Sequence, residues 1–160
     1  MNIHLRENVV PADAAAVRDI VASTGFFHDY EIEVAVELVA ERLARGPASG
    51  YFFLFAQCDD RVAGYACWGP IACTAHSFDL YWIVVHADFQ GRGLGRRLLA
   101  EAEQRIAGAG GRRIYVETSG REQYLPTRSF YEHGGYIREA TLAEFYGPDD
   151  DKVIYLKVVG

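Results

Sequence analysis

The segment that most constrains this chain runs from Phe78 to Ile106. It begins as an unbroken β-branched and aromatic run, Phe78-Asp79-Leu80-Tyr81-Trp82-Ile83-Val84-Val85, and then turns through Gly91, Gly93 and Gly95. It continues as an apolar stripe at Leu94, Leu98, Leu99, Ala102 and Ile106. The run is far shorter than the ~20 residues of a membrane span, so it reads as a central strand covered on both faces. The stripe has helical period, with Arg96, Arg97, Glu101, Glu103 and Gln104 on the remaining surface and Gly108, Gly110 and Gly111 to end it. A strand that enters a helix through a glycine turn makes an anion site. Glycine accepts left-handed angles and close backbone approach, and the first N–H groups of the helix point outward at the positive end of its dipole. Arginines crowd the stretch from Asp88 to Arg113: 92, 96, 97, 105, 112 and 113, against acids only at 88, 101 and 103.

Changes of hydrophobic period order the rest of the chain. Ile3-His4-Leu5 alternates as a short strand, and Pro11 opens a helix carrying Ala14, Val17, Ile20 and Val21 that Gly25 stops. Ile32, Val36, Val39 and Leu43 mark a second amphipathic helix ending at Gly46-Pro47. Tyr51–Cys58 and Val62–Trp68 read as a hairpin turned at Asp59-Asp60, and Gly69-Pro70 closes it. Arg113–Glu117 is the next strand. Pro126 then opens a short helix with Phe130 and Tyr131 inside and Gly134-Gly135 behind. Tyr136–Tyr146 and Val153–Val159 are two final strands joined through Gly147-Pro148-Asp149-Asp150-Asp151. These elements predict an α+β protein with one mixed sheet of about seven strands and about four helices, the middle strand–helix–strand unit being a parallel crossover.

With 160 residues, 50% of them apolar and 24% charged, the chain reads as one domain over residues 1–160. A net charge of -6 argues against a general nucleic-acid coat or an anionic-membrane binder. The N-terminal Met1–Glu7 lacks the basic and apolar regions of a signal peptide, so a cytoplasmic location is expected. Cys58, Cys67 and Cys73 show neither paired nor zinc-type spacing and read as small core thiols, and no metal site is expected. His28, His76, His86 and His133 read as surface or loop residues.

Glycines at 91, 93 and 95 in the middle of the chain fit neither a dinucleotide fingerprint after a first strand nor a Walker-type phosphate loop. They do match another pattern. Gln90-x-x-Gly93-x-Gly95 resembles the acetyl-CoA signature Q/R-x-x-G-x-G/A of the GNAT N-acyltransferases, and Phe130-Tyr131-Glu132-x-x-Gly135-Tyr136 resembles that family's later F-Y-x-x-x-G-F/Y element. The inferred order of strands and helices is also that family's, over essentially the whole chain.

The resemblance implies an N-acetyltransferase in which an amine attacks the bound thioester directly, with acetyl-CoA as acyl donor. The acceptor would be the primary amine of a small molecule or peptide, and the protein a monomer or homodimer with no nucleic-acid or membrane partner. Backbone N–H groups of Gln90, Gly91, Arg92, Gly93, Leu94, Gly95 and Arg96 would hold the pyrophosphate, helped by the Arg92 and Arg96 side chains. The backbone of Ile83, Val84 and Val85 would bind the pantetheine arm and polarise the thioester carbonyl. A lysine-like amine must lose a proton before attack, which calls for a general base: Asp79, Glu117 or a water chain. Tyr131 stands where the family commonly has its general acid. Tyr124 replaces the family's frequent asparagine contact, leaving Thr127 as a substitute cofactor contact. Phe26, Phe27, Tyr30, Phe145 and Tyr146 either rim the acceptor groove or pack in the core, and the Asp149–Asp151 run either draws a cationic acceptor or is a solvated hairpin tip. Two readings from other classes stand beside the enzyme: a non-catalytic acyl-CoA-binding regulatory module of the same fold, and a nucleotide-binding regulator using the same turn.

Overall fold

A computed structural model describes residues 2–160 of the chain. Seven strands share one sheet in the order β1-β2-β3-β4-β5-β7-β6. They are β1 (Ile3–Arg6), β2 (Phe52–Cys58), β3 (Arg61–Pro70), β4 (Ser77–Val85), β5 (Arg113–Ser119), β6 (Ile137–Gly147) and β7 (Asp150–Val158). The four α-helices are α1 (Asp13–Ser23), α2 (Asp29–Arg45), α3 (Leu94–Gly108) and α4 (Leu125–His133). This is the expected mixed-sheet α+β architecture. β4 and β5 run parallel, with Ser77, Phe78 and Asp79 opposite Arg113, Ile114 and Tyr115.

By its internal contacts the chain forms two compact units. The first takes the chain up to Gly69 together with Tyr81–Gln104. Its core joins Val17, Ile20 and Val21 of α1 and Ala35 and Val39 of α2 to Phe53 and Phe55 of β2, Tyr65 and Cys67 of β3, and Val84 of β4. Each helix buries one stripe at three- and four-residue spacing, so the removal of apolar surface from water holds both to the sheet. Phe27 meets the Trp82 ring at a tilt and belongs to this packing, whereas Tyr30 is exposed. α1 starts two residues after Pro11. The reason is Asp13, whose buried carboxylate accepts from the Val10 N–H and from both ends of the Arg6 guanidinium, so that residues 10–12 form a turn.

The second unit holds Pro70–Leu80 and Arg105–Gly160. β5 and β6 both pair antiparallel with β7. Ile114, Val116, Val153, Tyr155 and Leu156 are buried along β5 and β7, and Tyr131 of α4 packs with Tyr136 and Tyr155. Gly111 seats against Ile106, where a Cβ would lie 2.4 Å from the isoleucine side chain, so only glycine fits there. β6 is exposed along almost its whole length and its ladder is interrupted twice, between Arg138 and Ala140 and between Leu142 and Gly147.

Several expectations need correction. β4 is not covered on both faces: Phe78, Leu80 and Val84 are buried, while Asp79, Ile83 and Val85 are half-buried and Tyr81 is exposed. Cys58 and Cys67 are core thiols, but Cys73 is exposed in the β3–β4 connection at φ 64°. The last hairpin turns at Pro148-Asp149 alone, because Gly147 already pairs with Asp150. Asp150 and Asp151 therefore lie in β7. Their carboxylates accept from Ser119 Oγ and the Glu144 N–H respectively, so they are not a free acidic tip.

β3 approaches the end of β4 closely at Gly64, where a Cβ would lie 2.9 Å from the Val84 carbonyl oxygen and 3.3 Å from Val85 Cα. Gly64→Ala is expected to cost about 1–3 kcal/mol, the usual range for overpacking. Urea unfolding measures it, and an unchanged midpoint would show that the two strands separate freely there.

Candidate active site

In the first unit, the end of β4 leads through the turn Ala87–Phe89 into residues 90–93 and then α3. Gly91 and Gly93 adopt φ of 78° and 77°, left-handed angles at which any larger residue is strained, and a Cβ on either would meet no atom within 4 Å. Left-handed positions alternating in such a turn aim successive N–H groups to one side as an anion-binding nest. The first bond that closes α3 runs from Arg97 N–H to Gly93 O, so the N–H groups of Leu94, Gly95 and Arg96 precede the helical ladder. Gln90 anchors the turn by donating from Nε2 to Val85 O, its backbone still extended. Phe89 is buried, and two guanidiniums lie over its ring, Arg61 at 5.0 Å and Arg92 at 5.6 Å. Arg96 is exposed on the first turn of α3. The open backbone, outward N–H groups and arginines together fit a diphosphate.

Ile83 and Val85 are half-buried and Val84 is in the core, so along this stretch the side chains alternate. His86, read from the sequence as a surface or loop residue, lies in the loop that follows β4 but is only 6% exposed. It accepts a hydrogen bond from Asp88 N–H on Nδ1 and faces Asp19 through Nε2, and these two partners explain why a polar ring is inside.

In the second unit, Asp79 and Glu117 come from the parallel strands β4 and β5 and feel each other's charge. Burial, then the Glu117 carboxylate, push the Asp79 carboxyl up to about 6, against a lowering pull from Lys152. Glu117 is half exposed and holds Lys152 Nζ at 3.0 Å. The same ammonium lies 4.2 Å from the centre of the Phe145 ring, a cation–π contact. Tyr146 has its phenol pushed up to about 12, by burial first and then by Glu117, Asp150 and Tyr124. On α4, Tyr131 is 6% exposed, with Phe130, Tyr136 and Tyr155 around its ring. Burial raises its pKa well above the ordinary value, so the phenol keeps its proton throughout the neutral range. Thr127 is half-buried in the first turn of α4, and Tyr124 precedes that helix without a side-chain capping hydrogen bond.

The sequence matches the model of the Acetyltransferase (GNAT) family over residues 15–136. This chain belongs to the GNAT acetyltransferase family. A protein of Desulfovibrio desulfuricans, described as an acetyltransferase of the same family, is 50% identical with a TM-score of 0.98, the match covering 99% of this chain and 100% of that one. Two more distant structures share the fold. The aminoglycoside 6'-N-acetyltransferase of Enterococcus faecium is 20% identical with a TM-score of 0.77, over 99% of this chain and 97% of its own. PaiA N-acetyltransferase of Thermoplasma acidophilum, solved with coenzyme A, is 19% identical with a TM-score of 0.75, over 99% of both chains. No curated protein matches the sequence.

Within this GNAT enzyme, two residues escaped the reading of sequence alone. Lys152 was hidden behind an aspartate run, although the register that sets Ser119 opposite Lys152 and Glu117 opposite Ile154 makes the lysine a diagonal neighbour of Glu117. Arg128, 8% exposed, donates from Nη1 to the carbonyls of Ser119 and Arg121 and so pins the loop between β5 and α4. Its only sequence signal was a charged residue on the inner side of a short amphipathic helix.

A raised carboxyl destabilises the fold once ionised. Asp79's contribution to stability is full below its ordinary value of 3.8 and is lost as pH rises through about 6. Asp79→Asn should therefore be more stable than wild type at pH 7 and lose that advantage at pH 3.5. Denaturant midpoints across this range test it, and parallel curves would show that the carboxyl is not perturbed.

Proposed function

We propose that this protein is an acetyl-CoA-dependent N-acetyltransferase of the cytoplasm, with residues 1–160 as one catalytic domain, acting on the primary amine of a small molecule or peptide. The observation that carries the reading is the turn at Gly91 and Gly93, left-handed and sterically open, at the start of α3. Backbone N–H groups from Gln90 to Arg96 hold the pyrophosphate, and Arg92 and Arg96 add charge-assisted hydrogen bonds. The backbone of Ile83, Val84 and Val85 binds the pantetheine arm. Thr127 adds a contact from α4. Bound in this way, acetyl-CoA supplies an acyl group already activated as a thioester.

Asp79 is the general base. Its carboxyl, at about 6, is poised to take a proton near neutral pH, and no ion pair holds it among the described residues. Glu117 is tied to Lys152 and serves instead as the charge that keeps Asp79 basic and draws a cationic amine. Tyr131 gives its proton to the departing thiolate. Its high pKa makes it a reluctant acid, so donation accompanies the breaking of the C–S bond and does not precede it. The three free thiols are consistent with a reducing compartment, and no helix among the described residues is long and apolar enough to cross a membrane.

Acetyl-CoA should raise the melting temperature of the wild type, and Gly93→Trp should abolish the shift by filling the turn. A shift retained by a folded Gly93→Trp protein would exclude the pyrophosphate site. In turnover assays that follow release of free CoA thiol over an amine panel, Tyr131→Phe should lower kcat about tenfold or more at unchanged CoA affinity. The rise of kcat/KM near pH 6 should vanish in Asp79→Asn and survive, moved to lower pH, in Glu117→Gln. A limb that survives in both would hand the base role to water, and CoA binding without turnover of any amine would leave a non-catalytic binding module.

A further inference from the structure

His86 is a buried polar ring that the acetyl-transfer chemistry leaves unused, standing where β4 ends and the path to the glycine turn begins. Every backbone N–H from 86 to 89 is committed. His86 N–H donates to Ala63 O at 2.8 Å, Ala87 N–H to Ser23 Oγ at 3.0 Å, Asp88 N–H to His86 Nδ1 at 3.0 Å and Phe89 N–H to His86 O at 2.8 Å. His86 thus supplies two of the acceptors, one from its ring and one from its backbone. A ring nitrogen that accepts carries no hydrogen, so the imidazole proton sits on Nε2, which faces Asp19 Oδ2 of α1 at 3.2 Å. The ring also meets Phe89 edge-on at 6.2 Å, and Phe89 is the platform under the Arg92 guanidinium.

We infer that His86 is a positioning residue for the anion-binding turn: anchored on Asp19, its ring sets the path of residues 87–89 and thereby the direction in which the N–H groups of 90–96 point. The inference rests on the reading that this turn holds the coenzyme A pyrophosphate. Its physical content is preorganisation. With the clip in place the turn is ordered before the ligand arrives; without it, the competent arrangement is only one of several, and apparent affinity falls in proportion to its population. Ser23 reinforces the clip, since the hydroxyl that takes the Ala87 N–H itself donates to Ile20 O at the end of α1.

Calorimetric titration with coenzyme A, paired with thermal midpoints, separates this role from a contribution to stability alone. His86→Ala should bind about tenfold more weakly, as expected if the competent fraction drops to roughly a tenth, and should raise KM for acetyl-CoA more than it lowers kcat. His86→Asn should recover most of the affinity, because an asparagine side chain accepts from the N–H two residues on. Asp19→Ala, on the exposed side of α1, removes the anchor while keeping the ring and should give a smaller loss of the same kind. Unaltered coenzyme A affinity in His86→Ala and Asp19→Ala beside normal wild-type binding would overturn this inference alone. So would an asparagine variant that folds yet binds no better than the alanine one. A wild-type protein that ignores coenzyme A would overturn the pyrophosphate reading and the clip with it.

Discussion

Backbone that turns left-handed at Gly91 and again at Gly93 is the constraint on which the first unit is arranged. A helix that began directly on β4 would bury its first N–H groups or cap them with a side chain. Here two glycines carry the chain around into α3, and the cost of ordering them is met by packing on both sides of the turn. β4 is gripped by β3 at Gly64, and α3 is held by Leu94, Leu98, Leu99 and Ala102, all buried. Exposed N–H groups are tolerated at the surface because water satisfies them. An anion that displaces this water gains the helix dipole and several aligned donors at once.

Charge is clustered locally in a way that a net value of -6 conceals. Arg92, Arg96 and Arg97 stand at the glycine turn, whereas Asp79, Glu117, Glu144, Asp150 and Asp151 lie on β4, β5, β6 and β7 in the second unit. Within that acidic set the carboxyls are not equivalent. Glu117 has Lys152, Asp150 has the Ser119 hydroxyl, and Glu144 and Asp151 each have a backbone N–H, which leaves Asp79 as the one whose environment opposes ionisation.

The order of elements was legible because hydrophobic period changes sharply at Gly and Pro, most clearly from the β-branched run at 78–85 to the leucine stripe of α3. The glycine turn was legible for the same reason, since its residue types answer to backbone geometry. What the sequence concealed was polar burial. Nothing in the spacing of His86 announces that Asp19 and Ser23, more than sixty residues earlier, complete its surroundings. Lys152 and Arg128 were hidden likewise, each defined by partners on other elements. The aspartate run misled because three identical charges suggest a solvated tip, while only Asp149 takes the left-handed angle of the turn. The strand at 78–85 misled in the opposite direction: an uninterrupted apolar run implied two covered faces, yet alternate residues are partly open.

The outermost strand of the sheet carries one more consequence. β6 offers Ile137, Leu142 and Phe145 to solvent, the sort of edge on which a further chain could grow by ladder pairing. Its two breaks in register, the left-handed Glu144 at φ 52° and the charges of Arg138 and Glu139 break that template into pieces too short to extend. Irregularity at this rim therefore acts as a guard against fibrous self-association, and straightening it would exchange a tidier ladder for insolubility.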